Sequence, residues 1–80
     1  MAVIPSEIRV IFNPVISSRI TDMAYDYSKR IVYVIFPDGT LWQYENVSRS
    51  DWDKFRSSDS KGKFINTVLG KKYSNKKVPT

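Results

Sequence analysis

Neither cysteine nor histidine occurs among the 80 residues of this chain. Without cysteine it forms no disulfide, offers no thiol nucleophile and cannot build a cysteine-ligated zinc site. Without histidine it lacks the commonest general base and metal ligand. The few aspartates follow no spacing typical of a metal site. We therefore expect a small binding module, not an enzyme, with no catalytic residue, metal or cofactor.

Long apolar runs are also missing. No stretch approaches the roughly 18–20 apolar residues that a membrane-spanning helix needs. Residues 1–5 lack the basic start and long apolar run of a secretory signal. Apolar residues nevertheless make up 41% of the chain and aromatic residues 14%, enough for the core of one small domain. We expect a cytoplasmic protein with no membrane partner.

The charge is unevenly distributed along the chain. The net charge is +5, but residues 1–53 hold five basic and seven acidic side chains, whereas residues 54–80 hold eight basic and one acidic. Such asymmetry indicates a basic face or tail that meets an anionic partner. The alternative is that these charges only keep the surface solvated.

Three segments have the short apolar pattern of β-strands: 20–25, 31–36 and 41–45. Short polar links, including a Pro-Asp-Gly turn, predict that they form an antiparallel meander. The middle segment is apolar on both faces and should be central. In the first segment the spacing of Ile20, Met23 and Tyr25 departs from strict alternation, which predicts a β-bulge near Asp22.

After the strands the apolar period changes to that of helices. Ser48 and Asp51 form a capping-box pattern, and this first helix should end near Arg56. Ser60 is the predicted cap of a second helix that ends at Gly70. Its apolar stripe consists of Phe64, Ile65, Val68 and Leu69. The predicted fold class is α+β: a small antiparallel meander packed by two short C-terminal helices.

The two ends of the chain are harder to place from the sequence. Residues 1–17 are predicted to be either a fourth, N-terminal strand or an arm that docks on a neighbouring subunit. The β-branched stretch 7–12 favours a strand, and Pro5 and Pro14 favour an edge position for it. Residues 74–80 are predicted to be a disordered basic tail.

The start of the second helix carries the first candidate binding site. Lys61 and Lys63 lie in the first turn, where cations oppose the helix dipole, and Gly62 between them leaves the free amides open to solvent. Together with the Ser60 hydroxyl these groups predict a phosphate site. The competing interpretation is that Gly62 allows close packing while the lysines point into water.

Aromatic residues carry the second candidate. Alternation places Trp42 and Tyr44 on one face of the sheet, where they and Tyr25 could stack on nucleic-acid bases. The alternative is that they lie under the helices with Phe55 and Phe64.

Polar residues further along the second helix complete the set of candidate ligand-binding residues. Asn66 either hydrogen-bonds a ligand or ties the helix to a loop backbone. Lys71 and Lys72, together with Lys76 and Lys77 beyond the helix, add nonspecific attraction for an anion.

A longer pattern of residues is shared with a known family. Its positions are Ser18-x-Ile20, Tyr25-Asp26, Ile31-x-Val-x-x-Phe36, Gly39, Trp42-x-Tyr44, Val47, Trp52, Phe55, Ser60-x-Gly62, Phe64-Ile65-Asn66 and Tyr73. In order and spacing, residues 18–73 resemble the KTSC domain, which is the C-terminal domain of some lysyl-tRNA synthetases and also occurs as small bacterial and phage proteins. The chain departs from the family's central Tyr-x-Tyr at Trp42, from its Val-Pro at Ser48 and from a small Ala at Ser58.

The resemblance implies an RNA-binding function, which is the usual suggestion for the family. Our first hypothesis is accordingly a non-enzymatic module that binds RNA, single-stranded nucleic acid or nucleotide phosphates. A second hypothesis is a protein-interaction module, such as a phage or bacterial factor acting on a host protein through residues 7–12. A third is a homo-oligomer that sequesters nucleotide signals between its subunits.

Overall fold

A computed structural model describes residues 4–79, so that residues 1–3 of the predicted arm and Thr80 of the predicted tail lie outside it. The described chain forms a five-stranded antiparallel sheet, in the order β1-β2-β3-β4-β5, and two helices. The strands are β1 (Asn13–Pro14), β2 (Asp22–Asp26), β3 (Ile31–Ile35), β4 (Leu41–Tyr44) and β5 (Asn75–Lys77). Helix α1 spans Arg49–Ser57, and helix α2 runs through three successive stretches, Lys61–Phe64, Ile65–Leu69 and Gly70–Lys72. The predicted α+β class and meander are confirmed. No helix of the described chain is long and apolar enough to cross a bilayer.

An irregularity at the start of β2 explains the broken alternation in the sequence. The Thr21 amide donates to the Ile35 carbonyl at 2.8 Å, and Ile35 is also the register partner of Asp22. Thr21 and Asp22 thus both lie opposite Ile35, which is the arrangement of a β-bulge. The shift lets Ile20 face the same core layer as Met23 and Tyr25, although the strand itself begins only at Asp22.

Both faces of the sheet are covered, whereas the sequence predicted only the cover that the two helices form on one face. On the helix side, Phe55, Ile65 and Leu69 pack into one buried cluster with the sheet. On the other side, N-terminal apolar residues pack onto a second cluster; they are Ile8, Val10 and Phe12. The predicted N-terminal edge strand is therefore β1 and does not lie at 7–12, because the alternation in 7–12 reflects burial of every second side chain against a sheet face, not pairing along an edge.

The C-terminal segment is a strand, which corrects the predicted disordered tail. Asn75 pairs with Tyr44 and Lys77 with Trp42, so β5 extends the sheet beyond β4. The Val78 amide donates to the Leu41 carbonyl at 2.8 Å, and the Val78 side chain is buried. Lysines at an exposed sheet edge do not oppose backbone pairing, and they are common there because they discourage pairing with other chains.

Gly70 lies inside α2, so the predicted end of that helix is also wrong. Its φ of −71° is helical, and its amide donates to the carbonyl of Ile65, five residues earlier, which closes a π-helical turn. A β-carbon at Gly70 would lie 3.0 Å from that carbonyl oxygen. The glycine therefore accommodates the wider turn, and the helix continues to Lys72.

Candidate functional site

The lysine at the start of α2 is bound to the preceding helix. The Lys61 ammonium donates to the backbone carbonyls of Arg56, at 3.1 Å, and of Ser58, at 2.5 Å. It thereby satisfies carbonyls that have no partner within α1 and counters the negative end of its dipole. In this arrangement the Lys61 charge is used within the fold, and the phosphate-binding role of Lys61 stays a prediction.

Gly62 serves close packing, as the competing interpretation held. It is buried, and a β-carbon added there would lie 2.5 Å from the Arg19 Cγ. The Ser60 hydroxyl accepts from the Lys63 amide at 3.4 Å, so Ser60 is the helix cap that the sequence predicted. The Lys63 side chain is exposed and lines one groove with Ser60, whereas Lys61 lines a different groove with Ser60 and Arg19.

The sheet aromatics belong to the core. Tyr44 is 4% exposed and Trp42 is half-buried against the helix-side cluster, which also contains Phe55. Burial raises the pKa of the Tyr44 hydroxyl. The Tyr44 ring, and part of the Trp42 ring, are taken up in packing under the helices, as the alternative held, and stacking of these rings on bases stays a prediction.

The C-terminal end of α2 is tied to the start of α1. The Ser48 hydroxyl accepts from the Asp51 amide at 3.1 Å, as the capping pattern predicted. The buried Asp51 carboxylate accepts from the Lys72 ammonium at 2.9 Å and from the Tyr73 hydroxyl, instead of turning back to the Ser48 amide. These two donors, Lys72 first, lower the pKa of Asp51. Lys72 therefore acts in the fold, while Lys71 and Asn66 are exposed on α2.

The most prominent exposed aromatic ring is Tyr27, in the turn between β2 and β3. It is 55% exposed, and its hydroxyl accepts from the Trp52 indole nitrogen at 3.3 Å. The Tyr25 ring meets it edge-on at 4.8 Å and stacks on Trp52 at 5.2 Å. The Tyr25 hydroxyl in turn donates to the Val47 carbonyl at 2.6 Å. Tyr27 thus rests on a rigid aromatic base while its own ring remains accessible.

Arginines from separate parts of the chain surround this ring. We call the whole set the Arg–Tyr surface: Tyr27 with Arg9, Arg30, Arg49 and Arg56. The Arg49 guanidinium lies 5.1 Å from the centre of the Tyr27 ring, and that of Arg56 lies 5.8 Å from the centre of the Trp52 ring. Of the five arginines in the chain, four therefore gather around one exposed tyrosine.

Two grooves flank Tyr27. The first, of about 420 Å³, is lined by Tyr25, Tyr27, Arg30, Ser48 and Arg49. The second, of about 430 Å³, lies between the N-terminal segment and α1, and Arg9 and Arg56 are among its lining residues. Both grooves share Tyr25 and Tyr27, so that the two tyrosines border both of them.

The turn that carries Tyr27 is fixed by hydrogen bonds. The Asp26 carboxylate accepts from the Ser28 hydroxyl at 2.8 Å and from the Lys29 amide at 3.0 Å, and these bonds lower its pKa. Arg30 has a φ of +58°, and its carbonyl accepts from the Val47 amide at 2.8 Å. The turn is thereby joined to the loop before α1.

The acidic side chains near the Arg–Tyr surface neutralise little of its positive charge. Asp26 is directed into its own turn, and Asp53 pairs with Arg56 at 2.7 Å where both side chains are 51% exposed. An exposed pair of this kind contributes little energy and exchanges readily for another anion. Among residues 4–79 no three acidic side chains gather in a way that could hold a metal ion.

Sequence reasoning missed this surface because its arginines come from the N-terminal segment, the β2–β3 turn and α1. The stretch 26–30 was interpreted only as a polar turn. A tyrosine in the middle of that turn, followed by Lys29 and Arg30, was the one local signal. Of the predicted site residues, only Tyr25 lines the surface.

A family model and a solved structure that resemble this chain point to the same family. A family model described as the KTSC domain matches residues 16–73. The structure is similar to the crystal structure of a KTSC domain protein from Yersinia pestis, with 31% sequence identity, a TM-score of 0.82, and coverage of 89% of this chain and 100% of the other. None of the curated proteins matches the chain.

Proposed function

The chain belongs to the KTSC domain family, and from this premise we propose that it binds single-stranded nucleic acid or nucleotide phosphates through the Arg–Tyr surface. The observation that carries the proposal is the exposed ring of Tyr27, which borders two grooves with further arginines and has the Arg49 guanidinium 5.1 Å from its centre. Proteins that bind single strands combine a positively charged groove with aromatic rings on which bases stack.

Arginine suits phosphate better than lysine does at such a site. Its planar guanidinium offers five donors and binds two phosphate oxygens at once, while also stacking on aromatic rings. All four arginines of the surface lie on exposed parts of the chain. The lysines of the C-terminal half add to the general positive potential, but they do not form the site.

Tyr27 supplies the stacking element. Stacking of one base on an aromatic ring contributes about 1–3 kcal/mol and tolerates any base. The ring is exposed, and its orientation is held by Trp52 and Tyr25. Little side-chain entropy is then lost when a ligand stacks on it.

The dependence of affinity on salt tests this function. Contacts from four arginines to four phosphates of a single strand predict a slope of log K against log salt of about −3. Fluorescence anisotropy with a labelled hexauridylate should then show an affinity that falls about 50-fold between 50 and 200 mM salt. Absence of binding to RNA, single-stranded DNA and nucleotides at 50 mM salt contradicts the proposal.

Protein interaction or self-association is a second candidate function, favoured by exposed isoleucines of the N-terminal segment. Ile11 is 85% exposed and Ile16 is fully exposed, at 106%. Removal of these side chains from water on contact with another protein would be favourable. A mass in solution above 9.3 kDa that falls to the monomer value in an Ile11→Ser, Ile16→Ser variant supports this function, and a monomeric parent contradicts self-association.

A further inference from the structure

We propose that Arg9, in the N-terminal segment, is an additional ligand-binding residue and that the ligand is an oligonucleotide with phosphates in both grooves, not a mononucleotide. This inference rests on the proposed function and deepens it. Arg9 lies outside residues 16–73, the part of the chain that the family model matches. The segment before the family domain therefore completes the binding site.

The position of Arg9 is set by the core. On either side of it, Ile8 and Val10 pack against the outer buried cluster of the sheet. Further along, Phe12 lies in the same cluster, with its ring centre 6.2 Å from that of Tyr33. Alternation along an extended segment then directs Arg9 away from that cluster. The guanidinium is thus presented on an anchored backbone instead of on a loose arm.

The second groove has two cations and aromatic rings among its lining residues. Arg9 from the N-terminal segment and Arg56 from α1 line it together with Tyr27 and Trp52. The Arg56 guanidinium is near the Trp52 ring, and its only acidic partner in the described chain is the exposed Asp53. Two guanidinium groups lining one groove suit a phosphate better than they suit a neutral ligand.

The open edge of β2 adds hydrogen-bonding groups to this groove. The short strand β1 pairs only with Asp22 and Met23, so that 24–26 have no neighbouring strand on that side within the described residues. Tyr25 and Asp26 of this stretch line the groove. Backbone amides and carbonyls at a strand edge are suited to the polar edges of a base.

The two grooves meet at the shared tyrosines, Tyr25 and Tyr27. In a single strand each internal nucleotide is joined to a phosphate on either side of its sugar. A base stacked on Tyr27 therefore places one phosphate toward Arg30 and Arg49 and the next toward Arg9 and Arg56. A mononucleotide can occupy only one of these grooves, so an oligonucleotide should bind more tightly.

The test compares hexauridylate with uridine 5′-monophosphate on the full chain and on three variants. Arg9→Gln should weaken hexauridylate binding 3- to 10-fold, reduce the salt slope by about 0.7, and leave monophosphate binding unchanged. Arg49→Gln should weaken the binding of both ligands. Lys76→Gln, which removes one charge from the exposed edge strand β5, is the matched control for general charge and should weaken hexauridylate binding less than Arg9→Gln does. The unfolding midpoint of each variant is measured to show that it is folded.

The remaining outcomes distinguish failure of the role of Arg9, of the two-groove ligand and of the proposed function. If the parent binds hexauridylate and Arg9→Gln binds it equally well, the role of Arg9 is wrong and the proposed function stands. If the parent binds the monophosphate as tightly as hexauridylate, the two-groove ligand is wrong. If the parent binds neither ligand, both the proposed function and this inference fail.

Discussion

Replacement of Tyr27 by alanine is expected to weaken binding of a single-stranded oligonucleotide by about 5- to 150-fold. This range corresponds to the loss of about 1–3 kcal/mol, the contribution of one base stacked on an aromatic ring. Tyr27 is the exposed ring of the Arg–Tyr surface, and the Arg49 guanidinium beside it would lose its stacking partner as well. Fluorescence anisotropy with labelled hexauridylate at low salt measures the effect.

Tyr27→Phe is the matched control for this prediction. It keeps the ring and removes only the hydroxyl that accepts from Trp52. We expect its affinity to stay within about threefold of the parent, because the stacking surface is unchanged. Parent-like binding by Tyr27→Ala, or equal losses in both variants, contradicts a stacking role for this ring. Because Tyr27 is more than half exposed, both variants should remain folded.

Replacement of Phe55 by alanine is expected to lower the free energy of unfolding by about 3–5 kcal/mol. Phe55 is fully buried in the helix-side cluster, with its ring centre 6.0 Å from that of Trp52 and 5.5 Å from that of Phe64. A domain of this length has a total stability of roughly 4–12 kcal/mol. The variant should therefore be largely unfolded or close to unfolding at 37 °C. Urea denaturation followed by circular dichroism measures the loss.

Phe64→Ala serves as the comparison for Phe55→Ala. Phe64 packs against the same cluster but is only partly buried, so its truncation opens a smaller cavity and removes less apolar surface. We expect a loss about half as large. If truncation of Phe64 costs as much as truncation of Phe55, or Phe55→Ala costs under about 1 kcal/mol, the described core is wrong.

The parts of the fold that local patterns determine were predicted well. The meander, both helix starts and the bulge near Asp22 depend on residues close together in sequence, such as the Ser48 cap and the turn after Phe36. The ends of the chain depend on distant partners instead. Alternation in 7–12 is the same for an edge strand and for a segment laid across a sheet face, and only the outer cluster distinguishes them.

The candidate site was less predictable than the fold. From the sequence, the start of α2 with Lys61 was predicted to bind an anion. The residues around Lys61 do not indicate that its ammonium donates to backbone carbonyls of the preceding helix, α1. Likewise, the side-chain alternation of β4 was right, but it did not show that the face with Tyr44 is the one the helices cover. The Arg–Tyr surface brings together Arg9, Arg30 and Arg49 only through tertiary packing. That the chain is not an enzyme stays a prediction from its lack of cysteine and histidine.

Chemical-shift mapping of the backbone amides during titration with hexauridylate locates the bound ligand on the protein. If the ligand lies on the Arg–Tyr surface, the largest changes should cluster at Tyr27, Arg30 and Arg49 and extend to Arg9. The start of α2, from Ser60 to Lys63, should change little. Perturbations centred on the start of α2, with the turn at Tyr27 unaffected, would show that the ligand does not lie on the Arg–Tyr surface.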